Sequence, residues 1–264
     1  MIKLICYNIE YCQGMEGLWW QYLEFWRIFR APCGLDDRII DALKQLEPDI
    51  LALVEVDTGS MRAKKNEVEH FSKALHLTNH AERIKYDNRS YRSMFHHMPI
   101  LDHQANAIMT KFPIKHVRYH MLHAGTKRMV IEARIGVPED ITLLLAHLAL
   151  GKKDRKKQLQ ELIRVVNKIE TPVILMGDFN TFNGAREILQ LLQETHLHDY
   201  AKLDKISQGL THPTWHPKRR LDYVLTSPQI HVHQYQVLNF HFSDHMPLFV
   251  TFSLRSADTK STNR

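Results

Sequence analysis

The chain has 264 residues, 44% of them hydrophobic, and its 35 Lys and Arg against 29 Asp and Glu leave a net charge of +6. That length and apolar content suit one α/β domain with a large core, while the absence of an internal repeat, a long low-complexity linker or a bilayer-length apolar run argues against a second domain and a membrane span. Cys6, Cys12 and Cys33 lack Cys-x-x-Cys spacing, and the chain has no His-Glu-x-x-His, no Gly-x-Ser-x-Gly elbow and no P-loop, so zinc-site, disulfide-framework, serine-hydrolase and nucleoside-triphosphatase readings lack support.

The first predicted strand, Ile2 to Tyr7, runs directly into Asn8, with no basic start or small-residue cleavage site of a signal peptide ahead of it. The expected location is therefore the cytoplasm. Two residues on, Glu10 shares a strand face with Asn8 and reads either as an extra metal carboxylate or as a solvent-facing charge. From Leu18 to Arg30 helical spacing gathers Leu18, Trp19, Tyr22, Phe25, Trp26 and Phe29 on one face, with Gln21, Glu24, Arg27 and Arg30 opposite. Such a face suits peripheral contact with a membrane surface through 18–30, or core packing, or a partner surface.

A helix follows over Asp36 to Leu46, and then the apolar run Ile50 to Val54 ends in Glu55. Asn106, within Ala105 to Met109, either touches substrate or ties a turn. Ile141 to Ala146 leads into His147, and a helix beyond it carries Leu159, Leu162, Ile163, Val166 and Ile169 as one apolar stripe. The start of that helix is crowded with Lys152, Lys153, Arg155, Lys156 and Lys157, where the helix dipole disfavours positive charge. This run reads either as an anion-binding rim, with Lys152 and Arg155 on substrate, or as a solvated face. Pro172 to Met176 leads into Gly177-Asp178-Phe179-Asn180, Ala185 to Leu192 is helical, and Lys218-Arg219-Arg220 precedes Leu221-Asp222-Tyr223-Val224-Leu225. Arg220 is a further substrate-binding candidate. Ser243-Asp244-His245 closes the series, and Arg255 to Arg264 is a polar, flexible tail.

Carboxylates, amides and imidazoles thus stand repeatedly at the ends of buried strands, where a rigid scaffold positions functional groups. Tyr7-Asn8-Ile9, Val54-Glu55-Val56-Asp57, Ala105-Asn106-Ala107-Ile108-Met109, His147-Leu148, Gly177-Asp178-Phe179-Asn180, Leu221-Asp222-Tyr223-Val224-Leu225 and Ser243-Asp244-His245-Met246-Pro247-Leu248 resemble the ordered motifs of the endonuclease/exonuclease/phosphatase superfamily. The segment from Thr211-His212-Pro213-Thr214-Trp215 to Asp222 further resembles an uncharacterised bacterial subgroup. Val54 stands where a glutamine commonly precedes the glutamate, and Ala105 where a glycine commonly precedes Asn106.

The resemblance implies a four-layer α/β sandwich, two packed mixed β-sheets flanked by helices, over residues 1–254, with the aromatic segment as an insertion at 16–33. It also implies a metal-dependent phosphoester hydrolase. In that scheme Asp178 activates or orients the attacking water, and Asn180 holds the phosphate. His245 contacts the phosphoryl oxygen, Asp222 orients His245, and His147 is a general acid or phosphate donor. Glu55 and Asp244 hold the metal, Asn8 keeps the phosphate and neighbouring ligands in place, and Glu10, on the first of its two readings above, adds a carboxylate; hard oxygen donors select Mg2+, with Mn2+ as the alternative. The expected substrate is a lipid headgroup or another small phosphoester. A nuclease of endonuclease, exonuclease or abasic-site type is the alternative, its basic run tracking a phosphate backbone. A non-catalytic binding protein on the same fold is the third reading, and the intact set of polar groups argues against it.

Overall fold

The computed structural model describes residues 1–14, 34–61, 65–84, 103–137 and 139–255. The aromatic segment 18–30, the insertion 16–33 that contains it, Cys33 and the tail from 256 onward lie outside the described residues.

Twelve strands among the described residues form two six-stranded mixed sheets. The first runs β11-β12-β1-β2-β4-β3, built from β1 (Ile2–Asn8), β2 (Ile50–Asp57), β3 (Asn79–Ile84), β4 (Gln104–Thr110), β11 (Ile230–Val237) and β12 (Leu248–Leu254). The second runs β5-β6-β7-β8-β10-β9, from β5 (Ile114–Met121), β6 (Met129–Gly136), β7 (Asp140–His147), β8 (Val173–Asp178), β9 (His198–Asp199) and β10 (Asp222–Thr226). The central strands are apolar on both faces because each sheet is covered twice.

Alternate residues divide between the two coverings. Leu4, Cys6, Ile50, Ala52 and Val54 of one sheet meet Ile131, Leu143, Leu145, Ile174 and Met176 of the other across the middle of the molecule. On the outer face of the first sheet, Ile5, Tyr7, Leu51 and Leu53 pack under α1 (Leu35–Lys44) and α2 (Glu67–Ala74). On the outer face of the second, Leu144 and Leu175 pack under α3 (Lys152–Val166) and α4 (Leu189–Thr195). The result is the helix, sheet, sheet, helix sandwich expected from the motifs. Burial of Leu159, Leu162, Ile163 and Val166 on the inner stripe of α3 contributes about 1.5–3 kcal/mol per side chain.

Three helical expectations shift at their ends: α1 spans Leu35–Lys44 rather than Asp36 to Leu46. Ala185 to Ile188 forms a 3-10 turn rather than the first turn of α4, and Ile169 lies beyond the end of α3 while still packing against the same core.

Each sheet has one parallel pair at its centre, β1 with β2 and β7 with β8. Parallel neighbours end on the same side, so Asn8 falls opposite Val54, beside Glu55, and His147 falls opposite Asp178. β10 runs antiparallel to β8 and begins where β8 ends, which sets Asp222 opposite Asp178. Gly177 permits this junction. A Cβ at that position, with φ of 129°, would stand 1.9 Å from the carbonyl oxygen of Ala146 in the neighbouring strand, so no other residue fits without separating β7 from β8.

Candidate active site

Asp178 is the centre of the strand-end cluster. Its Oδ2 accepts hydrogen bonds from the side-chain amides of Asn8 at 3.1 Å and Asn180 at 3.2 Å, and its Oδ1 accepts the backbone N–H of Asn180 at 2.9 Å. The side chain is almost completely buried. Burial and repulsion from Asp222 disfavour the carboxylate more than His245, Lys127 and the Asn180 N–H favour it, and the pKa is pushed up to about 6. Such a carboxyl is poised to accept a proton near neutral pH.

His245 stands between carboxylates. Its Nδ1 lies 2.7 Å from Oδ2 of Asp222, and its Nε2 lies 4.0 Å from Oδ2 of Asp178 and 3.9 Å from Oδ1 of Asp244. Burial opposes a charged imidazole, yet attraction from Asp222, Asp244 and Asp178 outweighs it and raises the pKa well above the ordinary histidine value. Asp222 also accepts a hydrogen bond from Thr211 Oγ1 at 2.6 Å, which fixes the carboxylate that orients the ring. His147, at the end of β7, places Nε2 3.4 Å from Asp178 and Nδ1 3.8 Å from Glu55. A phosphoryl group entering here would meet two imidazoles and a near-neutral carboxyl in one cleft.

The backbone is bent where the second group of carboxylates emerges. Glu55 sits in the β-bulge between Val54 and Val56 of β2 with φ of 61°, and Glu10 opens a 3-10 turn after β1 with φ of 47°. A left-handed conformation at a glutamate costs on the order of 1–3 kcal/mol. The surroundings hold both in place: Asn106 Oδ1 accepts the backbone N–H of Glu55 at 3.2 Å, and Asn8 Oδ1 accepts that of Glu10 at 3.1 Å. Asn180 is also left-handed, at 52°, a conformation asparagine tolerates well. A bulge re-aims a side chain that a regular strand would direct into the sheet.

Glu10, Glu55 and Asp244 are close enough to perturb one another. Burial, then repulsion from Asp244 and Glu55, raises the pKa of Glu10 well above the carboxylate range, and its Oε2 is shielded from solvent with no hydrogen-bond partner among the described residues. The Asp244 carboxyl is lowered instead, because His245 and His212 outweigh its burial. A buried carboxylate oxygen without a donor, among further hard oxygen donors, fits a divalent cation. Glu10, Glu55 and Asp244, with the Asn8 amide nearby, are the residues that would hold it, and the ion would there neutralise phosphate charge and acidify a bound water.

The remaining sequence candidates lie differently. Asn106 is buried beneath Glu55, where its Oδ1 supports the bulge and its Nδ2 has no hydrogen-bond partner among the described residues. Lys152, with Lys153, Lys156 and Lys157, is exposed on α3. Arg155 is not directed at substrate: it is buried, forms two hydrogen bonds to Glu187 at 2.8 and 2.9 Å, and donates to the carbonyls of Ala149 and Leu150. Arg220 is likewise bound within the protein, with both terminal nitrogens on Asp199 at 2.6 and 2.7 Å and its guanidinium over the ring of Tyr223. Both arginines therefore brace the loops that carry the site.

Two residues that the motifs do not single out belong to the cluster. His212 places Nε2 3.4 Å from Asp244, with its ring 4.9 Å from that of His245. Lys127, in the turn between β5 and β6, lies 3.3 Å from Glu55. His212 falls within the Thr211 to Trp215 segment whose pattern marks the bacterial subgroup, which was the available signal; nothing in the sequence around Lys127 marks it.

The Endonuclease/Exonuclease/phosphatase family model matches residues 18–245. Solved structures of the same fold include an endonuclease/exonuclease/phosphatase from Beutenbergia cavernae, with a TM-score of 0.74 and 18% identity over 96% of this chain and 71% of that one. A mannosyl-6-phosphatase from Bacteroides thetaiotaomicron gives a TM-score of 0.72 and 16% identity over 96% of this chain and 100% of that one. The human Nocturnin catalytic domain with bound sulfate anion gives 0.68 and 20% over 96% and 94%. No curated protein matches the chain by sequence. At these identities the solved structures establish the fold, and the family model establishes the kinship: the chain belongs to the endonuclease/exonuclease/phosphatase family of phosphoester hydrolases.

Proposed function

We propose that the chain is a Mg2+-dependent phosphoester hydrolase, with Mn2+ able to substitute, acting as a phosphodiesterase or phosphatase on a small phosphoester or lipid headgroup. The observation that carries this reading is the placement of His245 between Asp222 and Asp178, with Asp178 held near a neutral pKa. Asp178 takes the proton of the attacking water. His245, charged and oriented by Asp222, stabilises the phosphoryl oxygens, and His147 donates a hydrogen bond or proton on the other side of Asp178. Asn8 and Asn180 orient the Asp178 carboxylate, and Glu10, Glu55 and Asp244 hold the cation.

The proposed membrane contact rests on residues 18–30 alone. Among the described residues no helix is long and apolar enough to cross a bilayer. The exposed Lys152, Lys153, Lys156 and Lys157 favour a second reading, a nuclease in which α3 follows a phosphate backbone.

Product release in Mg2+ from phospholipid vesicles, p-nitrophenyl phosphate esters and plasmid DNA, each corrected for the Asp178→Asn protein, separates the two. Release from lipid or small esters supports the first reading, DNA nicking alone supports the second, and no release from any of them contradicts both.

A further inference from the structure

The core under α3 takes one outward residue of β6, Val130, and stops there. The next two outward residues of that strand are Glu132 and Arg134, and the edge strand β5 turns His116, Arg118 and His120 to the same side while Val117 packs inward. Strand pairing sets His116 opposite Arg134, and Arg134 opposite Thr142 of β7, so one polar row crosses three strands. A groove of about 490 Å³ lies over this row, and Arg164 in the last turn of α3 and Lys168 just beyond it complete its lining. Its volume is that of a small-molecule site. No residue of the catalytic cluster lines it. Thr142 precedes His147 by five residues of β7, a separation of roughly 16 Å at the rise of an extended strand.

The charges in the groove are unevenly answered. Arg134 is held by Asp140, 3.0 Å from both its Nε and an Nη, and Glu132 lies 2.6 Å from Nε2 of His120. Arg118 sits directly across the strands from Glu132, where an ion pair would be the ordinary outcome. Glu132 is drawn to His120 instead, and no carboxylate among the described residues pairs with Arg118, Arg164 or Lys168. All three are solvent-exposed. Arg164 and Lys168 stand where the helix dipole favours cations, which accounts for their sign, but it does not account for Arg118 meeting them from the sheet. The one other acid of the lining, Glu170, is exposed.

We propose that this groove, between the outer face of β5 and β6 and the end of α3, is a ligand site separate from the hydrolytic cleft, and that it takes a compact organic polyphosphate. Three cations from two elements call for more than one anionic group, and the guanidinium forks of Arg118 and Arg164 match phosphate oxygens through paired charge-assisted hydrogen bonds. Val165 and Ile169 are the only aliphatic side chains in the lining, so the body that carries the phosphates is polar rather than apolar. The Thr142 and Thr171 hydroxyls, 2.6 Å apart, offer it further hydrogen bonds. An inositol polyphosphate has this chemistry, either free or as the headgroup of a membrane lipid. The site does not depend on the hydrolase reading above, because its occupancy is measured without turnover.

Calorimetry on the full chain, with Mg2+ and again in EDTA, compares inositol 1,4,5-trisphosphate with inositol 1-phosphate. In EDTA the uncompensated catalytic carboxylates repel anions, so binding there reports on the groove. The trisphosphate should bind about tenfold more tightly or better, and Arg118→Gln, or Arg164→Gln with Lys168→Gln, should each remove about tenfold of its affinity, the scale of a lost hydrogen bond to a charged group. Glutamine removes the charge without opposing the helix dipole, and thermal melts confirm that the variants fold. Lys202→Gln with Lys205→Gln, two exposed cations outside the groove, should leave the affinity unchanged. Equal binding of the two probes, binding that survives the groove substitutions, or an equal loss in the Lys202 and Lys205 variant overturns the site. Vesicles of phosphatidylcholine with phosphatidylinositol 4,5-bisphosphate separate the two sources. Sedimentation with them that the groove substitutions abolish supports the site with a lipid headgroup as ligand, and trisphosphate binding without sedimentation supports it with the free molecule.

Discussion

Asp222 Oδ2 lies 2.7 Å from His245 Nδ1 and 2.6 Å from the Thr211 hydroxyl, so one buried carboxylate oxygen fixes the orientation of the imidazole and favours its charge. Replacing that carboxylate by an amide leaves the shape and removes the charge. Asp222→Asn is expected to lower kcat by about 10²–10⁴-fold, the range of a positioned acid–base group, with a much smaller change in KM. Steady-state kinetics on a p-nitrophenyl ester check this.

The same pair sets a pH dependence in metal-free protein. His245 has a folded pKa above its unfolded value of about 6.5. Its contribution to stability is complete below about pH 6.5 and is lost as pH rises through the raised value. Asp178 acts in the same direction at lower pH: its contribution is complete below about 3.9 and is lost through about 6. In EDTA the denaturant midpoint should therefore fall as pH rises above 6.5, and Asp222→Asn should flatten that fall. Identical slopes in the two proteins would contradict the assignment.

Glu10 separates metal binding from folding. Its buried carboxyl, crowded by Asp244 and Glu55, is a liability until a cation arrives. Glu10→Gln is expected to stabilise the metal-free protein at pH 8, while reducing the gain in stability on adding Mg2+. For the wild-type protein that gain approaches about 2.7 kcal/mol at a hundredfold excess over Kd. Thermal melts with and without the ion read both effects.

Arg155 distinguishes a brace from a substrate contact. Removing it leaves Glu187 with only the backbone N–H of Asn183 as donor and takes a donor from each of the carbonyls of Ala149 and Leu150. Arg155→Ala is expected to cost about 3–5 kcal/mol of stability while leaving KM of the folded fraction within a factor of two or so; urea titration and kinetics below the transition measure each.

The elements that were legible in the sequence are those whose neighbours dictate them locally. The runs before Asn8, Glu55, His147 and Asp178 are apolar because two packed layers bury both strand faces, and that pattern survives in one dimension. The position of Arg155 was not legible, because its burial depends on Glu187, 32 residues away. Lys127 meets Glu55 across 72 residues and from the other sheet, with no periodicity to announce it. The bulge at Glu55 was equally silent: a two-residue count opposite one on β4 leaves no mark in composition. His212 lay inside a recognisable segment, yet its role follows only from the contact with Asp244.

The central claim is that Asp178 drives metal-dependent phosphoester hydrolysis. The most direct measurement is the rate of p-nitrophenol release from p-nitrophenyl phosphate and bis(p-nitrophenyl) phosphate, in Mg2+ and in EDTA, for wild-type and Asp178→Asn proteins of matched thermal stability. The account predicts release by the wild-type protein in Mg2+ only, reduced at least a thousandfold in the variant. Equal rates in the two proteins, or rates indifferent to EDTA, would contradict it.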